Sequence, residues 1–147
     1  MSGSGIRVDN EHFFAQYDFE ERLLRVRYKG QLTPATSAQF YQWLIESIKA
    51  NPHLLTEARG SIYDFRDVTE LANANMSSSQ RQSQQVNQQV DLQNHPVALI
   101  VKDSVQRALL TATMRISPQQ DRKRVVQSEA EAMAYIDSFH KQQERQP

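Results

Sequence analysis

Ser61-Ile62-Tyr63-Asp64-Phe65-Arg66-Asp67-Val68-Thr69-Glu70-Leu71 is an apolar and aromatic run that enters a cluster of charges. Gly60 precedes it and a long polar segment follows. It reads as a central strand whose C-terminal end delivers Asp64, Arg66 and Asp67 to one edge of the molecule. In open α/β sheets that edge is where ligands and partners dock.

Upstream, Phe13, Ala15, Tyr17 and Phe19 alternate with polar residues, the period of a half-buried strand. Leu24, Val26 and Tyr28 then alternate with Arg25, Arg27 and Lys29, which predicts the second arm of a hairpin with one wet face, ended by Gly30. Thr33-Pro34 opens a helix, with Thr33 as N-cap and Pro34 at the first helical position, where a missing N–H costs nothing. Ala38, Tyr41, Leu44, Ile45 and Ile48 form its expected core stripe, with Phe40 and Trp43 on the flank. Asn51-Pro52 stops it.

Downstream, Ser77-Ser78-Ser79 caps a Gln-rich helix expected to be exposed, reaching to about Leu92. Val97-Ala98-Leu99-Ile100-Val101 has no wet face and predicts an interior strand. Asp103 with Gln106, and later Ser128 with Glu131, make capping-box starts for two helices. Between them Arg124-Val125-Val126-Gln127 is a short strand. The predicted order is β-β-α-β-α-β-α-β-α: an α/β fold in two layers, with a mixed five-stranded sheet. Right-handed crossovers that keep moving one way leave the helices mainly on one face. Residues 1–10 read as a flexible leader, 11–140 as a single domain and 141–147 as a polar tail.

The chain has 147 residues, 39% hydrophobic and 23% charged, room for one core. Its 17 basic and 17 acidic residues balance, which removes the usual electrostatic drive toward nucleic acid or an anionic membrane. With no cysteine there is no disulfide, thiolate site or thiol nucleophile. No apolar run reaches the roughly 18 residues that span a bilayer, and the expected location is the cytoplasm. His12, His53, His95 and His140 show no ligand spacing, so no metal site is expected. There is no Gly-rich phosphate loop and no nucleophile motif. No cofactor is expected. Asp64 and Asp67 are a candidate carboxylate pair for acid–base work. The blander expectation is that Asp64 accepts backbone hydrogen bonds and Asp67 caps a turn.

The order of elements, Tyr28-Lys29-Gly30 closing the second strand, Tyr63 to Val68 on the third, and Val97 to Val101 before a capped helix resemble STAS-type domains, relatives of the bacterial anti-sigma-factor antagonists. The ending Arg124 to Ala132 is similar to the close of a STAS-like subgroup. The resemblance implies a SpoIIAA-like fold over residues 11–140 and a non-enzymatic protein-interaction module in bacterial regulation. Its docking candidates are Asp64, Arg66, Asp67, Ser77, Ser78 and Arg81. Antagonists of that family carry a phosphorylatable Ser in an Asp-Ser-Ser-Gly turn; this chain has Asn75-Met76-Ser77-Ser78-Ser79, without the Asp or the Gly. The alternative is a small apolar-ligand or lipid binder of CRAL-TRIO-like architecture, with Tyr41, Trp43, Leu110 and Met114 lining a cavity. A homodimer is also expected. If helices cover one face only, Phe14, Ile62 and Ala98 or Ile100 remain as an apolar patch on the other.

Overall fold

The structure, a computed structural model, describes residues 5–71, 95–108 and 123–145. Six strands form one mixed sheet in sequential order: β1 (Gly5–Asp9), β2 (Phe13–Asp18), β3 (Leu23–Leu32), β4 (Gly60–Leu71), β5 (Val97–Ile100) and β6 (Lys123–Val126). β1, β2 and β3 pair antiparallel, while β3 to β6 pair parallel. The helices are α1 (Pro34–Ala50), the short α2 (Leu54–Glu57), α3 over 104–108, and α4 (Glu129–Arg145).

The sheet therefore has six strands rather than five, and residues 5–9 are not leader. Ile6 and Val8 offer only two apolar positions beside a Gly/Ser run, too short a pattern to read. They form a strand because β2 supplies a paired edge, from Gly5 opposite Asp18 to Asp9 opposite Phe14, and both pack against the core.

Side chains on one face of β2 to β6 build the main core with α1. Thr33 caps α1 as its sequence predicts, its hydroxyl accepting from the Thr36 N–H at 3.3 Å, with Pro34 in the first turn. The buried stripe is rotated from the expected one. Phe40 is wholly buried and Ala38 exposed, while Thr36, Ser37 and Ser47 are buried alongside Leu44 and Ile48. Small polar residues lie where the helix approaches the sheet, so a stripe drawn through apolar residues alone points slightly off. Phe40 touches the rings of Phe13, Tyr28, Tyr41, Trp43 and Tyr63, with centroids 5.0–6.2 Å apart.

The other face holds a smaller core of Leu23, Ile62, Ala98, Ile100 and Val126, covered by Ala132 and Ile136 of α4. Helix α4 thus crosses to the face opposite α1. It follows the last strand and is not a crossover, so the handedness rule does not bind it. Most of the apolar patch from which a homodimer was expected is therefore filled from within the chain: Ile62, Ala98 and Ile100 are buried, while Phe14 is part-buried with Arg7 over its ring. Gly60 allows the close approach, since a Cβ there would stand 2.9 Å from the Pro96 carbonyl oxygen and 3.1 Å from Ile136 Cδ1. The far half of α4 is pinned by Arg59 donating to Asp137, and by His140 Nε2 at 2.6 Å from the Arg59 carbonyl oxygen.

β3 runs past Gly30 to Leu32. Gly30 has φ +70°, a backbone region that favours glycine, and lies at a register shift between β3 and β4. A second irregularity pairs Arg27 with Asp64 and then Lys29 with Asp67. Phe65 and Val68, three apart, are both buried, and Arg66 and Asp67 between them are both exposed. A bulge of this kind sets two consecutive side chains on the wet side of a strand.

Candidate functional site

β4 lies between β3 and β5, as the opening stretch predicts. Asp64 stands beside Arg27 of β3 and Ile100 of β5, just past the residues that α4 covers. Its carboxylate is nearly buried and held in a fork: Arg66 Nε donates to Oδ1 at 3.0 Å and Nη2 to Oδ2 at 2.8 Å. The Arg66 backbone N–H also donates to Oδ1, at 2.9 Å. That matches the expectation of a backbone-bonded Asp64. The bulge brings Asp67 Oδ2 to 3.9 Å from Arg27 Nε, which is 3.6 Å from Asp64 Oδ2. One arginine thus bridges the two carboxylates.

A second ion pair ties this face to α4. Arg25 donates to Glu21 at 2.7 Å and to Glu129 at 3.0 Å. Glu129 and Glu131 sit in the first turn of α4, where acidic groups complement the helix dipole. The Glu131 N–H donates to Ser128 Oγ, so the predicted cap is formed, and the Glu131 carboxylate accepts from the Gln127 N–H.

Burial pushes the Asp64 carboxyl up, but its hydrogen bonds from Arg66 and the charges of Arg66 and Arg27 outweigh it. The net effect is a pKa below the usual carboxylate value of 3.8. Asp64 stays ionised near neutral pH with its oxygens committed to arginine, so it is a poor general base. A group depressed in the folded state contributes stability above its unfolded pKa and loses it as pH falls through the folded value. Asp64→Asn is therefore expected to lower stability by about 1 kcal/mol above pH ~5, Arg66 being part-exposed and screened. The variant should also flatten the fall in stability below about pH 4. Urea titrations across that range check it; an unchanged acid limb would show that the fork contributes nothing.

Gln106, which the sequence marks only as a cap partner, clamps this strand end. Its backbone N–H donates to Asp103 Oδ1 at 2.9 Å, the predicted cap, and its Oε1 accepts from the Lys102 N–H at 3.0 Å. Its Nε2 donates to the carbonyls of Phe65 and Val68, at 2.9 and 3.2 Å. β5 pairs with β4 only as far as Asp64, so the carbonyls beyond need another donor. No apolar or charge pattern in the sequence signals that reach.

Ser61 Oγ and His95 Nε2 are 2.6 Å apart, a pairing invisible in the sequence. Both are buried, so they form an interior hydrogen bond rather than a nucleophile open to substrate. Tyr41 and Trp43 pack against the core at Phe40. A cleft of about 750 Å³ lies elsewhere, between β6 and α4, and Arg107, Lys123, Arg124, Glu131 and Tyr135 help to line it. Ser77, Ser78, Arg81, Leu110 and Met114 lie outside the described residues. Among the described residues no group of three His, Asp or Glu could hold a metal, and no helix is long and apolar enough to cross a membrane.

No protein-family model matches the sequence, and no curated protein matches it. Solved structures do. An uncharacterised protein of the DUF3478 family from Shewanella loihica, described as having a SpoIIAA-like fold, aligns at 13% identity with a TM-score of 0.54. The alignment covers 89% of this chain and 98% of that one. The unphosphorylated anti-sigma factor antagonist SpoIIAA aligns at 13% identity and a TM-score of 0.49, over 80% of this chain and 91% of that one. The likeness to the Shewanella protein, with the mixed sheet and its helices, shows the architecture: the chain has a SpoIIAA-like α/β fold.

Proposed function

We propose that the chain is a non-enzymatic, cytoplasmic protein-interaction module in bacterial regulation, docking a protein partner through the charged end of β4. The observation that carries the reading is the bulge, which turns Arg66 and Asp67 outward together beside Arg27. Arg27 and Asp67 are each more than half exposed, while Asp64 beneath is nearly buried and anchors Arg66. A fixed array of both charge signs on rigid strands confers orientation and partner choice more than raw affinity. Its carboxylates are already neutralised by arginine, which suits recognition better than proton transfer.

The test is a comparison of captured partners. Arg66→Glu and Asp67→Lys are expected to lose a partner that the parent chain retains, by tenfold or more in affinity (about 1.4 kcal/mol). Circular dichroism should show both variants folded. Equal capture by the parent and both variants would sink the reading.

A further inference from the structure

We infer that β1 is a self-pairing edge: two copies of the chain join antiparallel through Gly5–Asp9, fusing their sheets into one. This surface is separate from the β4 site and does not depend on it.

β1 is an outer strand, and among the described residues no strand pairs with its far side. The hairpin shows which of its backbone groups are free. The Asn10 N–H donates to the Phe13 carbonyl, so Asn10 opposite Phe13 is a hydrogen-bonded pair. The register then runs without a bulge through Val8 opposite Ala15 and Ile6 opposite Tyr17. Such pairs alternate in an antiparallel ladder. Ile6 and Val8 therefore turn their backbone groups toward β2, and Gly5, Arg7 and Asp9 turn theirs outward.

A second copy can satisfy those outward groups only if an outward residue faces an outward residue. Three central registers do so. One opposes Arg7 to Arg7, and like charges directly opposite destabilise a ladder; another sets Gly5 opposite Arg7, with Ile6 facing Ile6, and forms no ion pair. The third sets Arg7 opposite Asp9 of the second copy, and Asp9 opposite its Arg7, with Val8 facing Val8 on the symmetry axis. Each Arg7–Asp9 pair exchanges both N–H···O bonds and adds a cross-strand ion pair. Arg7 and Asp9 are exposed, at 63% and 49% for their side chains; within one copy they lie 3.8 Å apart, Asp9 also meets Lys29 at 3.4 Å and Arg7 rests over the Phe14 ring, so the join exchanges exposed contacts for cross-copy ones. Val8 and Ile6 are part-buried at the margin of the main core, so the apolar face would continue across the join. Isologous closure of this kind ends at two subunits. It also removes an unpaired edge that would otherwise invite open-ended pairing.

The chain contains no cysteine, so a single introduced thiol reports cleanly. Val8 opposite Val8 would be a non-hydrogen-bonded pair, with Cα atoms about 4.5 Å apart, within disulfide reach. Val8→Cys is expected to give a covalent dimer under mild oxidation, and Gln42→Cys, exposed on α1, to stay monomeric. Light scattering of the parent chain at high micromolar concentration should approach twice the monomer mass. Arg7→Asp sets two carboxylates face to face and should weaken the dimer about tenfold or more. Adding Asp9→Arg should restore it. A monomer mass at every concentration, or cross-linking of Val8→Cys no faster than of Gln42→Cys, would overturn the inference. So would a dimer that Arg7→Asp leaves intact.

Discussion

Phe40→Ala is expected to remove about 3–5 kcal/mol of stability, the largest loss from any single truncation in this fold. Phe40 is wholly buried, and five aromatic rings close around it: Phe13 and Tyr28 from the sheet, Tyr63 from β4, and Tyr41 and Trp43 from its own helix. Those rings are fixed from two layers and cannot all collapse into the void, so a cavity cost adds to the lost transfer energy. Domains of this size are stable by only about 5–15 kcal/mol, so the variant should sit near the edge of folding. Urea denaturation of the parent and variant measures it. A Phe40→Leu control should recover most of the loss because it keeps much of the volume. A cost under about 1 kcal/mol for Phe40→Ala would mean that the cluster is not the centre of the core.

Gly60→Ala carries the second large effect, from overpacking rather than a void. The new methyl would meet a backbone carbonyl, Pro96 O, at 2.9 Å, and Ile136 at 3.1 and 3.2 Å. Ile136 can shift a few tenths of an ångström, but the carbonyl belongs to the lead-in to β5 and accepts the Ser61 N–H. The expected cost is about 1–3 kcal/mol. Adding Ile136→Val should make the pair less destabilising than the sum of its parts, because it relieves the movable half of the clash. Thermal unfolding of the four chains in that cycle checks it. Strict additivity would show that α4 does not press on Gly60.

The fold was legible wherever a pattern was long enough. Leu24, Val26 and Tyr28 against Arg25, Arg27 and Lys29 place β3, and the run from Val97 places an interior strand. Thr33-Pro34 and Ser128 with Glu131 place two helix starts correctly. What escaped did so for physical reasons. β1 is too short to show alternation and is made by its neighbour. The face taken by α4 obeys no crossover rule. The site was legible as a set of residues but not as a geometry. Phe65 and Val68, three apart in a strand, already imply the bulge that turns Arg66 and Asp67 outward, since period 2 cannot bury both. The clamp by Gln106 depends on where β5 stops, which is a tertiary fact.

The sequential order of the six strands has a consequence for how the chain is built on the ribosome. Each strand from β2 onward pairs with the one made before it, and none has to be inserted between two already joined. The growing sheet can therefore be laid down at synthesis speed, each new strand meeting a finished template. The costly long-range parallel pairings are then reduced to successive local additions. Among the described elements α4 breaks this vectorial scheme, because its seat on Gly60 and its anchor at Arg59 were made long before it. Closure of the second face must wait for α4 to emerge, and until then Ile62, Ala98 and Ile100 stand open to whatever a nascent chain meets.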